Sequence, residues 1–409
     1  MSVQADRIMA VRDSWDVGDT REVRGARDHR PGPERLGALA VRSERELVLR
    51  DLSTALFASL PRRDQRRKGE QYLRGLLAAQ GRRSIRNVAV CLGDPTLEQS
   101  LHHFICSSTW DWMPVREALA DWLDQAIGPL AWVVRQMSIP KSGRHSVGVG
   151  RGFDVHRDQT FDGQQAFGVW SASEQASAPV NWRLLLEEAQ GETQEECAAS
   201  AALDFARLYD ASRRPVVLDT PTRDPEATIR RFSDAGVPVL VRLHGTARLT
   251  VREAAMPGYG QGAHPAQRIL DAVKGLRRPT GWLDPAAPSG VRQVPAVKVR
   301  VGLPSTEEGP GRGLVLLGEW ENPRRPPTRM WVTNMAGAPA SALLRLTKLS
   351  DRVGRDLSGF GDRAGLRDFV GRSLRGWHCH TTLASAAHAV EVLTASRRGG
   401  ERYVPGIPA

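Results

Sequence analysis

The sequence predicts an α/β protein, a mixed sheet flanked by helices and preceded by an all-helical N-terminal part, and three observations predict it. From Glu44 to about Gly128, apolar residues recur near helical spacing. Between Pro215 and Leu243, two apolar runs bracket a helical stretch, the strand-helix-strand pattern that builds a mixed sheet. Two helical segments, about Ser341 to Leu357 and about Phe369 to Ser396, close the chain, the second rich in Ala.

Taken in order, residues 1–44 are rich in Arg, Asp, Gly and Pro without a sustained apolar period and read as a mobile arm. Residues 45–128 follow as a helical domain, its apolar positions including Leu47, Leu49, Leu52, Leu56, Phe57, Tyr72, Leu73, Leu76, Leu77, Leu97, Leu101, Phe104 and Ile105. Residues 129–244 form the first part of the α/β core. Short extended runs are expected at Ala131–Val134, Ser146–Val149, Ala166–Trp170 and Trp182–Leu186, as an antiparallel meander. A helix from about Glu195 to Tyr209 leads to the strand Pro215–Leu218, a helix from about Asp224 to Ala235 and the strand Val237–Leu243. Residues 245–340 are rich in Gly and Pro and read as a β-rich insertion with strands at Ala296–Val301, Leu314–Leu317 and Met330–Val332. Residues 341–398 supply the C-terminal helices of the core, and 399–409 a tail.

With 409 residues, 41% of them hydrophobic, the chain can bury a sizeable core. Its formal charge is +11, carried by Arg far more than by Lys, which suits bidentate phosphate contacts; an Arg-rich composition also follows from a genome rich in G and C. The excess is uneven. Arg62, Arg63, Arg66, Arg67, Lys68, Arg74, Arg82, Arg83 and Arg86 face only Asp64 and Glu70, a local charge of +7. Such a cluster repels itself unless an anion neutralises it, so it reads as a phosphate-tracking surface, the alternative being an ordinary solvated helix face. Cys91, Cys106, Cys197 and Cys379 show no CxxC spacing, and four are too few to staple a chain this long, which fits a reducing compartment. No signal peptide or long apolar span is visible, so no membrane partner is expected.

Three segments carry a family likeness: Trp132 to Val149, with the run PKSGRHSVGV from Pro140; Arg214 to Thr220, RPVVLDT; and Leu366 to Leu383, LRDFVGRSLRGWHCHTTL. Together they resemble the DDE transposases of the bacterial insertion-sequence 701 family. The resemblance implies an RNase H-like core and places the second catalytic carboxylate at Asp219. It puts the family's Asp-Asp pair on Arg135 and Gln136, and its catalytic Glu on Gly354, at the end of the segment Asp351–Gly354. The family's aromatic residue and Lys further along that helix fall on Leu357 and Gly361.

DNA cleavage by such a fold needs two divalent metals at the scissile phosphate, held by converging carboxylates, because magnesium and manganese prefer hard oxygen ligands. Asp219 alone cannot hold two metals, and an arginine at 135 puts a permanent cation where a cation must bind. Asp351, Glu174 and Asp162 are the candidate substitute ligands. His145, His378, Cys379 and His380 suggest zinc by type, but adjacent helical residues point about 100° apart and cannot close one tetrahedral site. Lys141, Arg144, Arg372 and Arg375 suit a DNA channel instead, or plain surface charge.

The expectation is a transposase-like DNA-binding protein that no longer cleaves. No cofactor is expected, with Mg or Mn required if it is active. Its partners would be double-stranded DNA and a second copy in a homodimer, in the bacterial cytoplasm at the nucleoid. Two rivals stand beside it: an active transposase using substitute carboxylates, and a protein-interaction module that has lost DNA.

Overall fold

The computed structural model describes residues 33–143, 145–186, 191–209, 214–259, 262–284, 290–305 and 313–396. Two compact units divide the chain, Met1–Arg42 and Ser43–Ala409. Of the first, only helical residues 33–42 are described. The arm expected over 1–44 is therefore corrected in part: residues 33–44 lie in helix α1 (Pro33–Ala58), where Glu34, Arg35, Leu36, Ala38, Leu39 and Ala40 are good helix formers. Residues 1–32, and the tail at 399–409, lie outside the described residues.

The helical part continues with α2 (Arg63–Ala78), α3 (Ile85–Cys91), α4 (Leu97–Cys106) and α5 (Met113–Ile127). Each turns one apolar stripe inward. Leu52, Leu56, Tyr72, Leu73, Leu76, Val88, Leu101, Phe104, Leu119 and Leu123 are all buried. Gly128, with φ +52°, ends α5 in the left-handed conformation that glycine adopts without strain.

A twelve-stranded mixed sheet among the described residues forms the centre. It begins with β1 (Ala131–Pro140), β2 (Val149–Asp154), β3 (Gln159–Ala172) and β4 (Ser177–Leu184). The long β3 pairs with the whole of β1 from Gly163 to Ala172; on its other edge its first half takes β2 and its second half β4. The extended run expected at 146–149 is instead a turn, because Gly148 sits at φ +68° and the strand starts only at Val149. Next come α6 (Gln194–Leu208), opened by a Thr193–Glu196 capping box, then β5 (Val216–Thr222), α7 (Glu226–Asp234) and β6 (Val239–Leu243). β5 runs parallel to both β1 and β6. An antiparallel meander followed by parallel strands, with helices flanking the sheet, is the RNase H-like arrangement.

The β-rich run does not stand apart from this sheet. β7 (Arg248–Val251), β8 (Ala263–Pro265), α8 (Ala266–Ala272), β9 (Arg278–Leu283), β10 (Val291–Gly302), β11 (Leu314–Glu319) and β12 (Arg329–Thr333) extend it, since β12 pairs with β6, β11 with β12 and β10 with β11. The chain closes with α9 (Ala340–Ala364), stopped by Gly365 at φ +79°, and α10 (Leu374–Ser396). α10 starts five residues later than the apolar pattern suggests, because Phe369 lies in the preceding loop with its ring beneath Gly371 and Gly376. A Cβ at those glycines would stand 2.2 and 2.8 Å from the ring.

Helical part and sheet are joined by a buried cation. Arg116 of α5 is 1% exposed. It donates to Thr382 Oγ1 of α10 at 2.8 Å, to Asn181 Oδ1 at 2.7 Å and to the Trp182 carbonyl of β4 at 3.2 Å. Neutral acceptors hold it in place of a carboxylate. Arg116→Met strands these acceptors in a dry interior and is expected to cost roughly 2–4 kcal/mol, read from urea unfolding. A loss below about 0.5 kcal/mol would contradict this joint role.

Candidate functional site

The registers of the parallel strands set the site. Val134 pairs with Leu218 and Leu218 with Val241, so one rung further along Arg135, Asp219 and Arg242 lie side by side across β1, β5 and β6. Registered neighbours in parallel strands point to the same face. Asp219, 2% exposed, accepts from both arginines: Arg135 Nη1 on Oδ2, and Arg242 Nη1 on Oδ1 at 2.8 Å. Burial alone would raise the Asp219 carboxyl, but the two guanidiniums outweigh it and hold the group below its ordinary range.

Helix α9 brings in the third position. A Cβ placed on Gly354 would stand 3.2 Å from Arg135 Nη2 and 3.4 Å from Cζ, so the arginine occupies the space that a longer side chain at 354 would use. The helix is clamped there by ion pairs. Asp356, 1% exposed, accepts from the Ser177 amide at 2.8 Å, the Ser177 hydroxyl at 2.7 Å and Arg352 at 2.9 and 2.5 Å. Arg345 binds Glu174 at 2.5 and 3.0 Å. The positions that the family resemblance assigns to three carboxylates, Arg135, Asp219 and Gly354, thus converge in space.

The candidate substitute ligands do not join them. Asp351 is held two-pronged by Arg329 at 2.9 and 2.6 Å, and Glu174 is engaged by Arg345. Asp162 is exposed on β3, six residues from Gly168, the partner of Arg135, which is roughly 20 Å along the strand. Gln136 links strand ends, donating to the Phe153 carbonyl at 2.7 Å and accepting from the Val155 amide at 3.1 Å.

Three neighbours were not foreseen. Arg242 is one; a charged residue inside the otherwise apolar strand Val239–Leu243 was the signal for it. Arg329 is the second. The third is His156, which burial brings down to about 4, with Asp219 opposing that shift and Arg135 and Arg242 reinforcing it. Its Nε2 is buried and finds no hydrogen-bond partner among the described residues.

The sequence profile of the DDE superfamily endonucleases matches residues 55–306, more than half of the chain. The chain belongs to that DDE superfamily. The match takes in the helical part, β1 and Asp219, and ends before α9. No curated protein matches the sequence. DDE endonucleases use Mg or Mn, and the residues on this rung do not fit that pair of metals. Both oxygens of Asp219 are taken by arginines, position 354 carries no ligand, and no cluster of three His, Cys, Asp or Glu suited to a metal occurs among the described residues.

The basic residues of this DDE chain fall into two groups. Arg62, Arg63, Arg66, Arg67, Arg82, Arg86 and Arg372 are exposed, and Lys68 is half-buried. Arg74 is engaged by Glu46 at 2.8 Å and Glu70 at 3.0 Å, and Arg83 packs over Gly365. Arg375 donates to the Ser108 and Trp110 carbonyls and stacks on Trp112. Lys141 donates to the Phe369 carbonyl at 2.6 Å; burial lowers its ammonium, Arg82 adds to that and Asp368 opposes it. Val147 donates to the Arg372 carbonyl at 3.3 Å, so the first and third resemblance segments meet beside the α2–α3 connection. Arg144 lies outside the described residues.

The His-Cys-His triplet separates into different surroundings. His378 stacks on Trp112 with ring centroids 4.8 Å apart, and its Nδ1 accepts from Arg116 at 3.2 Å. His380 donates from Nε2 to the Gly365 carbonyl at 2.8 Å and so accepts the Tyr72 hydroxyl at Nδ1, also at 2.8 Å. Cys379 is buried, and His145 is exposed in a separate loop.

Removing the Asp219 carboxylate leaves two largely buried guanidiniums without a counter-charge. Asp219→Ala is expected to cost about 3–5 kcal/mol in chemical unfolding. Because the folded carboxyl sits below its unfolded value, its contribution is complete above about pH 4 and fades as pH falls through the folded value. Asp219→Asn should therefore flatten the acid limb of a Tm-against-pH profile; an unchanged limb would contradict this.

Proposed function

We propose that this chain is a DNA-binding protein of transposase ancestry, from the insertion-sequence 701 branch of the DDE superfamily, that binds duplex DNA without cutting it. The observation that carries the reading is the guanidinium of Arg135 seated on Asp219, a permanent positive charge where catalytic metal would have to be held. Gly354 beside it offers no ligand. A site of this composition repels divalent cations and favours anions.

DNA contact is assigned to the exposed residues Arg62, Arg63, Arg67, Arg82 and Arg86, with Arg372 near them in support, because a concentration of unpaired cations is what a phosphate backbone neutralises. Arg74 and Arg375 act within the fold. No described helix is long and apolar enough to cross a membrane. Pairing of two DNA ends by a homodimer, and residence on the bacterial nucleoid, belong to the same proposal.

Labelled duplex DNA incubated with the protein, with and without Mg or Mn, tests it. Binding should weaken steeply with salt, and no nicked product should form with either metal. Replacing Arg62, Arg63 and Arg67 together by Ala should make the slope of log affinity against log salt shallower by about 2–3. Metal-dependent nicking that disappears in Asp219→Ala would overturn the reading in favour of an active enzyme.

A further inference from the structure

Donor accounting on the Asp219 rung leaves hydrogen-bonding capacity over. Each guanidinium carries five N–H donors. Arg135 places Nη1 on Asp219, while its Nη2 lies against Gly354, and Arg242 likewise commits Nη1 to Asp219. For their other nitrogens there is no acceptor among the described residues. Both side chains keep some solvent contact, 16% for Arg135 and 27% for Arg242, whereas the Asp219 side chain has 3%. One carboxylate balances two guanidiniums, so the rung is left with positive charge.

Of the nearby acids, Asp351 is neutralised by Arg329, while Asp154, bound by the neutral amides of His156 and Arg157, both at 3.0 Å, keeps its charge beside His156. His156, with its partnerless Nε2, adds a polar atom to the same neighbourhood. One residue past Gly354, Arg355 is exposed and has no acidic partner among the described residues. Guanidinium forks aligned by a buried carboxylate match the oxygens of a phosphate group.

We propose that this rung is an anion site: Arg135 and Arg242, aligned by Asp219 and both keeping solvent contact, take a DNA backbone phosphodiester directly on their uncommitted N–H groups, without metal. The assignment rests on the DNA-binding reading above and adds a second point of contact, distinct from the exposed arginines of the helical part. Asp219 is then a positioning residue.

The test is equilibrium binding of a labelled duplex in EDTA across a salt series, with thermal unfolding of each variant recorded alongside. Gly354→Glu places a carboxylate against Arg135, and should weaken binding about tenfold at moderate salt and make the salt slope shallower by about 1–2. Arg135→Gln combined with Asp219→Asn removes the charge pair while keeping hydrogen-bonding groups, and should shift the slope in the same direction by about 1. Wild-type affinity and slope in both folded variants would overturn the anion site and leave DNA binding by the helical part intact. A wild-type protein that ignores duplex DNA even at low salt would instead overturn the DNA-binding reading, and this assignment with it.

Discussion

The carboxylate of Asp219, shut inside a sheet that is covered on both faces, has to be compensated where it stands, and two guanidiniums on neighbouring strands do so. Much of the local architecture follows. Arg135 is drawn inward at the point where the apolar first half of its strand ends, and it fills the volume beneath α9. The helix can pass at that height only because position 354 is glycine. An ion pair and the absence of a side chain are thus two halves of one packing solution.

The same logic recurs along α9. Arg345 on Glu174, Lys348 on Glu319 and Arg363 on Glu391 bind the helix to the β3–β4 turn, the sheet and α10, while Arg352 pairs with Asp356 within the helix. Glu319, Asp356 and Glu391 are buried acids. An arginine-rich composition therefore does not translate into an evenly basic surface. These cations are internal fasteners, while Arg62, Arg63, Arg67, Arg82 and Arg86 have no acidic partner among the described residues, so net charge alone says little about where an anion would settle.

Helix periodicity and apolar runs were enough to place eight of the twelve described strands, all but β2, β7, β8 and β9, because both depend on local spacing alone. Strand ends were less legible: β1 continues through Gln136 to Pro140 and β5 through Asp219 to Thr222, past the point where the apolar pattern breaks. The pattern breaks there because the site begins there. Membership of β10, β11 and β12 in the same sheet as β5 rests on pairing between residues far apart in sequence, which composition does not encode. At the site, the family resemblance brought out Arg135, Asp219 and Gly354, whose meeting in space needed the strand register. Arg242, Arg329 and His156 belong to no motif and became visible only through that register and the fold around it.

The GWHCHT run at 376–381 tells a different story from the carboxylate positions. Its residues lie in the interior: Trp377 and Cys379 in the core, Thr381 bonded back to the Trp377 carbonyl, His380 joining Tyr72 of α2 to the end of α9. Replacing any of them would cost the fold a substantial part of its narrow stability margin. The acidic ligands of an enzyme carry no such protection, since a cluster of like charges opposes folding. Lineages selected only for an intact fold would drift fastest at the chemistry and slowest at this signature, so a recognisable run in a related sequence testifies to inherited architecture, and activity has to be judged from the carboxylates themselves.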